Sequence, residues 1–120
     1  MFKDESGLIE NFDWGVYQIR GKTYGKDVRI VGSEASKWKE RKGHELTSDM
    51  ITGIDGRDVE VLIIGNGVNE QLHCPESIRK AVLKMGIKDL IVLPTPDACR
   101  LYNELYSKGT RTAMLAHGTC

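Results

Sequence analysis

The spacing of hydrophobic residues changes near residue 58. Beyond it, unbroken apolar runs alternate with stretches in which apolar residues recur every three or four positions, the patterns of buried strands and amphipathic helices. A strand from Glu60 to Ile64 carries the run Val61-Leu62-Ile63-Ile64 straight into Gly65-Asn66-Gly67. A strand apolar at every position must be covered on both faces, as in parallel sheets, and ligands collect where such strands end. Pro75 then opens a helix, because its missing N–H is not needed in a first turn, and Gly86 closes it. Within this helix Ile78, Ala81, Val82 and Met85 form one stripe, with Glu76, Arg79, Lys80 and Lys84 opposite. Asp89 to Leu93 is a second strand with a continuous apolar run, stopped by Pro94, and it too is predicted to be central. Thr95 before Pro96 and Asp97 reads as an N-cap. Ala98, Leu101, Tyr102 and Leu105 repeat the helical stripe up to Gly109, and a last strand spans Thr112 to Ala116. Strand, helix, strand, helix, strand with short links implies right-handed crossovers and a small parallel sheet.

The first half alternates instead. Val16-Tyr17-Gln18-Ile19-Arg20 and Val28-Arg29-Ile30-Val31 each point in and out by turns, and Gly21 to Gly25 supplies turn residues between them, which predicts a β-hairpin. Trp38 and His44 fall in a charged stretch, Lys37 to Glu45, expected to be irregular or an edge. Ser48 is placed to cap a short helix through Ile54 with Met50, Ile51 and Ile54 inward, although Gly53 and Gly56 oppose it.

Composition narrows the function classes. With 120 residues, 40% of them hydrophobic and 28% charged, the chain suits one domain over 1–120. Its core is expected at about 12–117, with flexible ends at 1–11 and 118–120. Seventeen basic residues balance seventeen acidic ones, so no long-range field draws the molecule to nucleic acid or an anionic membrane. Lys37, Lys39, Arg41 and Lys42 are the densest basic group and read as a solvated segment. No apolar run approaches the roughly 20 residues that span a bilayer, and the N-terminus lacks a signal-peptide core, so a cytoplasmic location is expected. The three cysteines, Cys74, Cys99 and Cys120, are odd in number and widely spaced, which favours reduced thiols over a disulfide framework.

The glycine turn invites a phosphate reading, because glycines after a strand let backbone N–H groups approach a pyrophosphate. Glu70 stands where the third glycine of the dinucleotide pattern belongs, and the next helix starts only at Pro75. Both count against it, and a tight turn of positive φ accounts for the glycines. His73-Cys74 carries zinc-binding groups, and a thiol beside a helix start has a lowered pKa, yet no ligand spacing joins them to His44, His117, Cys99 or Cys120. A nucleophile scheme of Cys74, His44 or His117, and Glu70 or Asp97 can be drawn, as in any chain of this size. His117 and Cys120 are expected in a solvent-exposed tail. Tyr102 is assigned to core packing, and Asn103, off the stripe, to solvent or the polar border.

Taken together, Trp38 with His44, Leu62 to Gly67, Pro75, Gly86-Ile87, Thr95 with Ala98, Tyr102-Asn103, Gly109 and His117-Gly118-Thr119-Cys120 resemble a family of small domains of unknown function. Its members include an adipogenesis-associated protein and a mitochondrial respiratory complex I assembly factor. The similarity runs from about Phe12 onward and is a pattern of turns, caps and core positions. It implies an α/β, three-layer domain: a central, mostly parallel mixed sheet, flanking helices and an extra N-terminal β layer. For function it implies assembly, regulatory or scaffold roles, with no established reaction or cofactor. The mitochondrial branch carries a targeting extension that this sequence does not show.

The sequence therefore leads to a non-enzymatic binding, assembly or regulatory module, with Gly65, Asn66, Gly67, Glu70, Thr95 and Asn103 as the candidate binding edge. No catalytic residue, metal or cofactor is assigned. A protein partner is expected, and a homodimer is compatible with this reading. The alternative is a small enzyme or sensor that binds an anionic metabolite at the loops after the parallel strands.

Overall fold

The computed structural model describes residues 1–120. The alternating N-terminal residues form four short strands, β1 (Phe2–Lys3), β2 (Ile9–Asp13), β3 (Val16–Ile19) and β4 (Lys22–Gly25), paired in that order as an antiparallel sheet. Arg20 and Gly21 link β3 to β4 with φ of 50° and 77°, the backbone that matches strand twist in a two-residue hairpin. Phe2, Ile9, Phe12, Tyr17 and Ile19 share the buried side of this sheet.

A second sheet contains β5 (Asp27–Val31), β6 (Glu34–Lys37), β7 (Val61–Asn66), β8 (Asp89–Leu93) and β9 (Thr112–His117), in the spatial order β6-β5-β9-β7-β8. β5 lies antiparallel to β6 and β9, whereas β7 lies parallel to β9 and β8. Helices α1 (Glu76–Lys84) and α2 (Thr95–Ser107) form the crossovers from β7 to β8 and from β8 to β9. The first crossover steps outward from β7 and the second returns past it. Crossovers of one hand that run in opposite directions lie on opposite faces.

This explains why β7 is apolar throughout. Leu62 and Ile64, with Ala113 and Leu115 of β9, pack on α1 and on Trp38, Leu46, Met50, Ile51 and Ile54 of the long connection. Val61 and Ile63, with Met114 and Ala116, pack on α2 and on the four-stranded sheet. The expected α/β architecture, with a central mixed sheet, flanking helices and an added N-terminal β layer, is the observed one.

Several local expectations are corrected. Residues 16–20 and 28–31 do not form one hairpin; each run turns back on its own partner, and the two resulting hairpins belong to different sheets. β8 is an edge strand, not a central one, and its apolar run is covered by helices above and below instead of by strands on both sides. Ser48–Met50 is a single 3-10 turn in place of a helix to Ile54, with Gly53 at φ 72° beyond it, yet Met50, Ile51 and Ile54 are buried as expected. Trp38 is a buried core residue whose indole N–H donates to the Met50 carbonyl at 2.9 Å. The ends expected to be flexible are also built in. Phe2 and Ile9 belong to the core, and Val68 and Asn69 donate backbone N–H groups to the carbonyls of Thr119 and Cys120 at 2.7 and 2.9 Å.

Candidate functional site

The end of the parallel strands is a knot of backbone hydrogen bonds centred on one hydroxyl. Gly67 N–H donates to Thr95 Oγ1 at 2.9 Å, and that hydroxyl donates to the His117 carbonyl at 2.6 Å. Thr95 N–H returns to the Gly67 carbonyl at 3.1 Å. Thr95 is fully buried and is the first residue of α2, after an N-cap at Pro94 that makes no side-chain cap bond. The expected Thr95 cap is thus corrected: its hydroxyl ties α2 to the ends of β7 and β9. Gly65 is needed for this approach, because a Cβ there would stand 3.0 Å from Thr95 Oγ1 and 3.1 Å from Ala116 Cβ.

Residues that follow β9 occupy the space beside the glycine turn. Gly67 has φ 102°, and a Cβ on it would collide with the Cys120 carbonyl group. Gln71 N–H joins Asn69 N–H on the Cys120 carbonyl, at 3.1 and 2.9 Å. The N–H groups that suggested a phosphate site therefore bind the chain itself. Glu70, with φ 58°, sits exposed on this loop. Asn66 Oδ1 is buried without a hydrogen-bond partner, the one side-chain atom of the chain in that state.

A charged cluster that the sequence did not announce supports the same end of the sheet. Asp27 Oδ1 lies 2.8 Å from His117 Nδ1 and accepts Gly118 N–H at 3.2 Å, while Asp27 Oδ2 accepts Arg41 Nε at 2.6 Å. An ionised carboxylate only accepts, so the His117 proton toward it resides on Nδ1. Burial works against ionisation of Asp27, but the bonds from His117 and Arg41, together with the Arg41 charge, outweigh it and hold the pKa below the ordinary aspartate value. His117 is 2% exposed, so its expected place in a solvent-exposed tail is corrected; it belongs to β9, directly beside Asn66 in the sheet register. The His44 ring stands 5.9 Å from the His117 ring, centroid to centroid.

Asn103 is not part of this edge. It lies eight residues along α2 from Thr95, about 12 Å at the helical rise. Its buried amide accepts Ile9 N–H and donates to the Ile9 carbonyl, both at 2.9 Å, and also donates to Asp4 Oδ2 at 3.1 Å. Asn103 therefore acts as a clip between α2 and β2 and is not solvated. Asn103→Ala is expected to destabilise the fold by about 2–4 kcal/mol in urea unfolding, since two buried backbone groups lose their partner. Amide exchange should accelerate in β1 and β2 first; unchanged exchange there would contradict the clip.

The other candidates separate. Tyr102 is core, as expected, and its single hydroxyl proton is shared between the carbonyls of Gly32 and Thr112, at 2.7 and 3.1 Å. Cys74 is half-buried, and burial pushes its thiol up, opposite to the lowering expected beside a helix start. Cys99 is fully buried and its thiol is likewise pushed up by burial. Asp97 is engaged with Arg100 at 2.8 Å on the surface. Short polar residues close to one another in sequence gave no sign of Asp27, whose partners lie 14 and 90 residues away.

A family model described as a protein of unknown function, DUF498/DUF598, matches residues 9–117. Among solved structures, a conserved hypothetical protein of Pyrococcus horikoshii is 27% identical with a TM-score of 0.82, covering 93% of this chain and 98% of its own. A protein of Bartonella henselae described as an outer membrane protein is 21% identical with a TM-score of 0.80, covering 95% and 96%. A Bordetella pertussis protein described as a Mth938-like domain is 18% identical with a TM-score of 0.65, covering 98% and 91%. The last two likenesses concern the fold alone. No helix of this chain is long and apolar enough to cross a membrane.

Proposed function

Since the chain belongs to the DUF498/DUF598 family of proteins of unknown function, we propose that it is a non-enzymatic protein-binding and assembly module. Its contact edge is the β2–β3 hairpin tip with the exposed Glu70 loop beside it, carried on the strand end where Gly65, Gly67 and Thr95 are buried and Asn66 is half-buried. The observation that carries this reading is the exposure of Trp14 and Val16, 47% and 42%, on a tip that is held in place. Gly15 N–H donates to the Gly118 carbonyl at 2.7 Å, which ties the tip to the residues filling the glycine turn. A rigid, exposed tryptophan loses little conformational freedom on docking and buries a large area, which is why such residues anchor interfaces. The partner surface that suits it is a pocket on another protein, with a second copy of this chain as one form of that partner. The resemblance to an adipogenesis-associated protein and a mitochondrial respiratory complex I assembly factor favours assembly over chemistry. An enzyme or sensor for an anionic metabolite has less support, because the loop amides after β7 already serve the carbonyls of residues 119 and 120.

The test places a photoreactive amino acid at position 14 and, as a control, at position 83, where Leu83 is also exposed at 54%. Irradiation in native cells followed by mass spectrometry should give one defined protein, or a second copy of the chain, from position 14 and not from position 83. Equal capture from both positions overturns the proposal. So does a stoichiometric small molecule retained in native mass spectra, which would favour the enzyme or sensor.

A further inference from the structure

The two sheets leave an opening on the side away from the glycine turn. β4 and β6 are the outer strands of their respective sheets, and a cleft of about 410 Å³ lies between them. Register decides what points into it. Lys22 and Tyr24 stand opposite Ile19 and Tyr17, and Ala35 and Lys37 stand opposite Ile30 and Val28. Directly opposed residues share a face, and Ile19, Tyr17, Ile30 and Val28 are all buried between the sheets. Lys22, Tyr24 and Ala35, which line the cleft, are therefore inner-face residues that no third strand covers, and Lys37 shares that face beyond it. Tyr24 and Ala35 pack partly on the core and give the cleft an apolar floor.

Its charge is one-sided. Arg20 and Lys22 make no ion pair, whereas the one acid of the lining, Glu34, is held by Arg57 at 3.0 Å through both carboxylate oxygens. Arg20 also reaches across the mouth to the Ser33 carbonyl at 3.4 Å. Inward-pointing lysines on edge strands are a common guard against sheet-to-sheet aggregation. That guard repels a neutral strand, which would bury the ammonium groups unpaired, and admits one that neutralises them.

We propose that this cleft docks an extended acidic segment of a partner protein, added alongside β4, with a carboxylate facing Lys22 and an apolar side chain two positions away on Tyr24 and Ala35. Main-chain pairing to the free edge supplies affinity and the alternate side chains supply selection. The surface is distinct from the Trp14 edge, so the module has a second docking face, as a protein that brings two others together requires.

The probe is a short fluorescent peptide in which glutamate and valine alternate, with a control in which lysine replaces glutamate. Anisotropy should show binding of the acidic peptide only, weakened by salt. Lys22→Glu should lower the affinity by about tenfold or more through reversed charge, with an unchanged circular dichroism spectrum. Lys84→Glu, on α1, and Trp14→Ala should leave it intact, which separates this proposal from the reading of the Trp14 edge. Amide exchange should slow in β4 on binding. Equal loss with Lys84→Glu, equal competition by an oligonucleotide, absence of binding, or unprotected β4 amides would each overturn the proposal.

Discussion

Replacing Asp27 by asparagine is expected to lower the unfolding free energy by about 3–5 kcal/mol, because it leaves a buried charge without its counter-charge. The Arg41 side chain that it would abandon is 12% exposed, and the carboxylate also holds His117 and Gly118 N–H. Urea unfolding checks the size of the loss, and a change below about 1 kcal/mol would show that the cluster does not stabilise the fold as its geometry indicates. Asp27→Asn combined with Arg41→Met should recover part of the loss, since a removed pair costs less than a broken one.

The same carboxylate sets a pH dependence whose direction follows from its pKa. The folded value lies below the ordinary one, so the Asp27 contribution is complete above the unfolded value of about 3.9 and is lost as pH falls through the folded value. The wild-type chain should therefore lose stability below about pH 4 more steeply than Asp27→Asn, with the two curves converging in acid. Parallel curves would place the acid sensitivity elsewhere.

Trp38→Ala should cost a similar amount, about 3–5 kcal/mol, the range for emptying a large aromatic site. The indole is buried in the layer that covers Leu62 and Ile64, and its N–H holds the Met50 carbonyl at 2.9 Å. Trp38→Phe keeps most of the volume and drops the bond, so a smaller loss of about 1–3 kcal/mol is expected from the unpaired carbonyl. Thermal and urea unfolding distinguish the two variants. Near-equal stability of Trp38→Ala and wild type would mean that residues 38–54 do not form a packed cover.

These residues also mark the boundary of what the sequence made legible. The apolar runs of β7 and β9 and the stripe of α2 were readable because both faces of a strand, or one face of a helix, leave a local periodic trace. β8 shows how that trace falls short: Ile91 and Leu93 pack toward α2 and Val92 toward the α1 side, so helices alone explain its apolar run and nothing in it reports a missing lateral strand. The hairpins were misassigned for a related reason, since alternation identifies strands but not their partners. Thr95 carried a capping signal, yet Gly67 and His117, 28 and 22 residues away, offered its hydroxyl better-placed partners. Asn103 binds a strand 94 residues distant, and residues 118–120 are held by backbone groups that no side-chain pattern displays. The candidate edge was thus legible as a place in the sheet, while its occupant and its charged support were not.

The position of β9 has a consequence for how the molecule comes into being. It is the last strand of the fold in sequence and the middle one in space, lying between β5 and β7. A chain emerging from the ribosome holds the two outer pieces of the larger sheet without their common neighbour until residue 117 is released. Burial of Val28, Ile30 and Ile63 against one another's layer is then completed in a single late insertion. Pairings this distant in sequence make folding slow and leave strand edges open meanwhile. Vectorial synthesis therefore presents this domain as an unfinished sheet until β9 emerges, and a ribosome-stalled fragment short of β9 should engage chaperones as a chain that includes it does not.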